Sequence, residues 1–92
     1  MRQDLAERSA LSVLTWLLAE EELLPVFMGA TGASSDDFRS GAADPVFLAS
    51  VLDFVLMDDA WVLSCAQVLG HPPEHLVEIR AALPGGDLPN WT

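Results

Sequence analysis

Trp16-Leu17-Leu18-Ala19-Glu20-Glu21-Glu22-Leu23-Leu24 returns 38 residues later as Phe54-Val55-Leu56-Met57-Asp58-Asp59-Ala60-Trp61-Val62. In both places an apolar run meets carboxylates and a second apolar run follows, the pattern of two helices joined at a corner. Gly32 then aligns with Gly70, and Asp36-Asp37-Phe38 with Glu74-His75-Leu76. Each half therefore reads as helix, acidic corner, helix, glycine stop and helix. No stretch shows the sustained apolar–polar alternation of a half-buried strand. The expected fold is all-α, a compact bundle of five or six short helices with an approximate internal two-fold repeat at the 38-residue offset. The pseudo-repeats span about 9–45 and 47–83 within a helical domain of residues 1–83, and residues 84–92 form a Pro/Gly-rich C-terminal tail. Identities across the offset are few, so duplication and two independently similar helical hairpins both account for it.

Local chemistry punctuates the helices. From Asp4 to Ala19, Leu5, Leu11, Leu14, Leu17 and Leu18 recur at helical spacing beside a narrow polar stripe of Asp4, Arg8, Ser12 and Thr15, so the first helix is expected to be mostly buried. Glu20, Glu21 and Glu22 stand at the corner as charges favourable to the next helix N-terminus. That helix, Glu21 to about Thr31, carries Pro25 in its first turn and stops at Gly32. Ser34 with Asp37 is a capping pair for a short third helix, which Gly41 weakens. Asp44-Pro45 opens a fourth helix running to about Met57. Helix five, Asp59 to Leu69, offers Trp61, Cys65 and Val68 on one face and closes at Gly70. Pro72 and Pro73 permit only a helix start, and helix six ends at Pro84-Gly85-Gly86. The predicted interior holds Leu14, Leu18, Phe27, Phe47, Leu52, Phe54, Leu56, Trp61, Cys65, Leu69, Leu76 and Ile79, with helices one and four central.

Ninety-two residues suffice for one domain that buries roughly 60–65% of the surface of the unfolded chain. Hydrophobic residues make up 51% of the chain, more than so small a volume can hide, which favours a homodimer or a partner groove. Fourteen Asp and Glu against four Arg and no Lys leave a net charge of −10. Such a surface repels phosphate backbones and anionic lipid, so neither nucleic acid nor membrane is an expected partner, whereas a basic protein is. The single Cys65 has no internal disulfide partner, the N-terminus lacks the pattern of a secretory signal, and no uncharged run is long enough to span a bilayer. A cytoplasmic location follows as the expectation.

The one catalytic-looking string is His71-Pro72-Pro73-Glu74-His75, an H-x-x-E-H pattern. Metal chemistry of that kind needs both imidazoles on one helix face, one turn apart, with the Glu beside a metal-bound water. Two prolines after His71 place it outside the helix, so His71, Glu74 and His75 are weak metal candidates and no metal or cofactor is assigned. Cys65, flanked by Leu63, Ala66 and Val68, reads as a buried thiol and not as a nucleophile. The acidic corners lack the ligand spacing of a calcium loop. In the tail, Leu88 and Trp91 are candidate partner-binding residues; they either fold back onto the bundle or dock into another chain.

Leu14-Thr15-Trp16-Leu17 through Glu21-Glu22-Leu23-Leu24, Asp44 to Phe54, and Asp58-Asp59-Ala60 resemble a family of small bacterial all-helical proteins known only as a domain of unknown function. The likeness runs over nearly the whole chain, to the Gly70–Glu74 turn and the Leu83-Pro84-Gly85 close. It implies a bacterial cytoplasmic protein with a helical packing signature and carries over no functional residue. The leucine and Asp-Pro usual before the third helix are replaced here by Ala33, Ser34 and Ser35. Taken with the charge, the expected function is a non-enzymatic, acidic protein-interaction module, self-associating or binding another protein. The alternative is a ligand- or metal-binding protein or small hydrolase with a site between the halves, around Ser12, Ser50, Asp53 or His75.

Overall fold

The fold is described from a computed structural model over residues 1–85, and Leu88 and Trp91 lie outside the described residues. Six helices follow in order: α1 (Gln3–Ala19), α2 (Leu24–Thr31), α3 (Ser35–Gly41), α4 (Pro45–Val55), α5 (Asp59–Leu69) and α6 (Glu74–Ala81). No strand occurs among the described residues, and the chain is an all-α bundle.

Short-range capping sets several of these boundaries. Asp44 Oδ1 accepts from the Val46 N–H at 3.0 Å, and Pro45 occupies the first helical position, where its missing N–H forfeits nothing. Asp58 Oδ1 likewise accepts from the N–H groups of Ala60 at 2.8 Å and Trp61 at 3.4 Å. The Asp37 carboxylate reaches back to accept from the Ser34 N–H at 2.7 Å and its hydroxyl at 3.2 Å. Gly32 and Gly70 end α2 and α5 with φ of 77° and 76°, the left-handed geometry that avoids a Cβ clash. The acidic corner differs from expectation. Glu20 is the C-cap of α1, its N–H donating to the Leu17 carbonyl at 3.0 Å, and α2 begins only at Leu24, so Glu21 and Glu22 belong to a turn.

The core forms one contiguous cluster to which every helix except α3 contributes a fully buried large apolar side chain. The contact between α1 and α4 is the broadest in the bundle. Of the predicted interior, Leu14, Phe27, Leu52, Phe54, Cys65, Leu76 and Ile79 are buried, and Phe47, Leu56, Trp61 and Leu69 pack half-buried against them. Leu18 is a correction: it is 45% exposed, as Leu5 and Leu11 are also exposed. The inward stripe of α1 runs instead through Ala6, Ala10, Val13, Leu14 and Leu17, an i, i+4, i+7, i+8, i+11 series. Val68 is a second correction, at 68% exposed; α5 turns Val62, Cys65 and Ala66 inward.

Phe27 is fully buried and joins the short helices to the rest. Its ring lies 5.8 Å from that of Phe38 on α3, 6.1 Å from Phe47 and 5.1 Å from Phe54, the last two on α4 and both edge-on. Phe38 meets Phe47 at 5.7 Å, also edge-on. At the far end, Arg80 ties α6 to α4: its Nε donates to Asp53 Oδ1 at 2.6 Å, Nη2 to Oδ2 at 3.3 Å, and Nη1 to the Pro84 carbonyl at 2.9 Å.

Gly41, which weakens α3 by helix propensity, is buried directly under the Phe47 ring, and a Cβ there would overlap that ring. Gly41→Ala is therefore expected to destabilise the protein by about 1–3 kcal/mol, because overpacking outweighs the ~1 kcal/mol that alanine gains in helix propensity. Urea denaturation checks it; an increase in stability would show that the ring moves aside freely.

Candidate partner-binding groove

The residues singled out from sequence do not meet at one place. His71 precedes α6, while His75 sits in its first turn; their rings lie 4.3 Å apart, and His75 Nδ1 is 3.4 Å from Glu78 Oε1. Among the described residues no three His, Cys, Asp or Glu side chains converge as a metal-binding group. Asp53 is held by Arg80. Ser50 donates to the Phe47 carbonyl at 2.6 Å and lines a hollow of about 310 Å³ between α2, α3 and α4. The other hydroxyls there are also committed to their own helices, Thr31 to the Phe27 carbonyl and Ser40 to the Asp36 carbonyl. Ser12 lines a different surface altogether.

That surface is a groove between α1 and α5. One hollow of about 380 Å³ is lined by Ser12, Thr15, Trp16, Ala19 and Glu20 of the α1 side and by Val68 and Leu69 of α5. A second, of about 300 Å³, is lined by Trp16, Glu20, Glu22, Leu23 and Val26 together with Trp61 and Ser64. Trp16 and Glu20 belong to both, so the two hollows adjoin. Residues 12–19 face the C-terminal end of α5 and residues 16–20 its N-terminal end, so the two helices run antiparallel. From Ser12 to Glu20 the groove is about 12 Å long at 1.5 Å per residue.

The lining is apolar apart from three hydroxyls, and its charged residues, Glu20 and Glu22, are both acidic. The four arginines lie elsewhere: near the start of α1 (Arg2, Arg8), on α3 (Arg39) and on α6 (Arg80). Trp16 is 5% exposed, and its Nε1 is the one buried side-chain nitrogen or oxygen without a hydrogen-bond partner among the described residues. A buried donor left unpaired costs about 1–3 kcal/mol. Trp61 is half-buried and stacks on Phe54 at 4.7 Å and 23° between planes, which fixes one wall of the groove to α4.

Sequence reasoning placed Trp61 in the interior and missed that it and Trp16 line this groove. The available signal was the pair of stripes Ser12-Thr15-Ala19 and Trp61-Ser64-Val68, each small or apolar at helical spacing outside the core face.

Cys65 is fully buried on the inward face of α5, and desolvation pushes its thiol from 9.0 up to about 11. It carries no thiolate available for nucleophilic chemistry near neutral pH. The unfolded thiol ionises near 9 and the folded one only near 11, so the native state holds the extra proton in between and stability falls as pH rises from 9 to 11. In Cys65→Ala this component of the alkaline loss is expected to vanish, at a baseline cost of about 1 kcal/mol for the cavity. Urea titrations from pH 8 to 11 on both proteins check it; parallel pH profiles would refute the assignment.

Neither a curated protein nor a solved structure matches the chain. A family model does, over residues 3–86, covering all six helices and the closing turn. The chain therefore belongs to the family described as Protein of unknown function (DUF3572).

Proposed function

We propose that this chain is a non-enzymatic, acidic protein-interaction module that takes up a basic protein partner. The observation that carries the reading is the combination of a −10 net charge with an open apolar groove whose charged residues are both carboxylates. Large apolar side chains on the surface, among them Leu18, Leu63 and Val68, add area that a bound partner would cover. Excess negative charge accelerates encounter with cations and disfavours phosphate backbones and anionic lipid. No helix among the described residues is long and apolar enough to cross a membrane. The proposed setting is the bacterial cytoplasm, where a lone buried Cys65 meets no oxidative demand.

The test is affinity capture from host extract with the tagged chain, followed by purification of the captured protein and direct titration. A basic partner is expected, with affinity falling about tenfold or more between 50 and 500 mM salt, since exposed charge pairs are screened over that range. A partner bound equally at both salt concentrations, or catalytic turnover by the isolated chain, would overturn the proposal.

A further inference from the structure

The groove between α1 and α5 has the dimensions and chemistry of a helix receptor. Its length of about 12 Å corresponds to roughly two turns of a docked helix, enough for apolar anchors spaced i, i+3 or i+4, and i+7. Two adjoining hollows, of about 380 and 300 Å³, supply separate seats, the first mostly apolar and the second about half polar. Glu20 lines both hollows and Glu22 the one at the Trp61 end, where cationic flanks of the ligand would lie. From these observations we infer that the α1–α5 groove binds a short amphipathic α-helix with basic flanks, presented by another protein. The inference rests on the interaction-module reading and names its site and ligand class.

Charge selects this occupant over the two nearer at hand. A second copy docking groove to groove would bring Glu20 and Glu22 of both chains together in a molecule already at −10. The chain's own Gly86–Thr92 segment adds Asp87 and no cation, and its Pro89 interrupts the only stretch that holds Leu88 and Trp91. A Lys- or Arg-flanked helix instead gains from the same carboxylates and steers toward them from a distance.

The probe is a synthetic peptide of about 14 residues with leucines on one helical face and lysines on the other, long enough to form a helix on binding. Its controls are a scrambled peptide of the same composition and a version with glutamate in place of lysine. Titration into the Trp91→Phe chain leaves Trp16 and Trp61 as fluorescent reporters, both on the groove. Expected are saturable binding about tenfold tighter for the amphipathic than for the scrambled order, and none for the glutamate version. Glu20→Gln with Glu22→Gln should weaken it about fivefold, whereas Asp36→Asn on α3, outside the groove, should leave it unchanged. Ala19→Arg, an exposed groove position, should abolish it while the helical circular dichroism is retained.

Equal affinity for the scrambled peptide, or an equal effect of Asp36→Asn, would reduce the binding to diffuse charge and overturn the inference. So would a dimer that Ala19→Arg converts to monomer, which assigns the groove to a second copy. Tighter peptide binding after truncation at Gly85 would assign it to the chain's own tail and overturn it equally. If a captured basic partner binds Ala19→Arg as well as the native chain, the groove assignment falls and the interaction-module reading stands. If no partner is captured, that reading falls while the peptide titration still decides whether the groove takes a helix.

Discussion

Phe27 is the contact on which the arrangement of the short helices depends. Helices of eight and seven residues are too short to persist alone, because nucleation consumes most of what their few hydrogen bonds return. α2 and α3 are held because one fully buried ring from α2 meets Phe38 of α3 and both Phe47 and Phe54 of α4. Aromatic pairs at 5–6 Å with edge-on geometry contribute beyond their buried area and also fix orientation. The need for Gly41 follows from the same junction: Phe47 can reach Phe27 and Phe38 only by lying where a Cβ on residue 41 would stand. The junction extends to the surface through Phe54, whose other neighbour is the stacked Trp61. The wall of the groove is thus rooted in the aromatic core.

How α1 is rotated decides what is left outside. Its inward face carries Ala6, Ala10 and Val13 together with Leu14 and Leu17, small residues that let neighbouring helices approach closely. A helix whose leucines and alanines point to several sides can face its core in several orientations at similar hydrophobic gain, and shape then decides among them. Here the orientation that fits leaves Leu5, Leu11 and Leu18 between 37% and 49% exposed. The exposed apolar surface is therefore a by-product of close packing at the centre.

This also explains which features were legible in the sequence. Asp44-Pro45, Asp58, Ser34 with Asp37, Gly32 and Gly70 each act within a few residues of themselves, so their roles could be read locally and recur in the hydrogen bonds and dihedrals. The aromatic residues of the interior were legible because few surfaces could accept Phe27 or Phe54 exposed. Leu18 and Val68 were misplaced because each lies about one position from the true inward stripe of its helix, and that rotation is settled only by partners far along the chain. Glu21 was read as the start of the second helix, though it and Glu22 form a turn before Leu24; a run of three carboxylates does not say which side of a corner it serves. The two stripes of the groove stand in the sequence, but the groove itself was out of reach for a stricter reason. It exists only where residues 12–20 lie antiparallel to 61–69, a pairing no local pattern encodes.

The division of labour between core and rim bears on specificity. No polar or charged residue is buried among the described residues, so the interior contributes cohesion and few directional constraints. Directionality lies at the surface, in the Arg80–Asp53 fork and in the carboxylates around the groove. Those carboxylates act over a Debye length of about 8–10 Å, which sets encounter rate and rejects anions but does little to hold a ligand once bound. Residence time has to come from the apolar side chains that line the groove. A ligand meeting only one of these demands would be captured slowly or released quickly. Selectivity in such a site arises from satisfying both along a stretch of about 12 Å, which is why the order of apolar and basic residues in a partner matters more than its total charge.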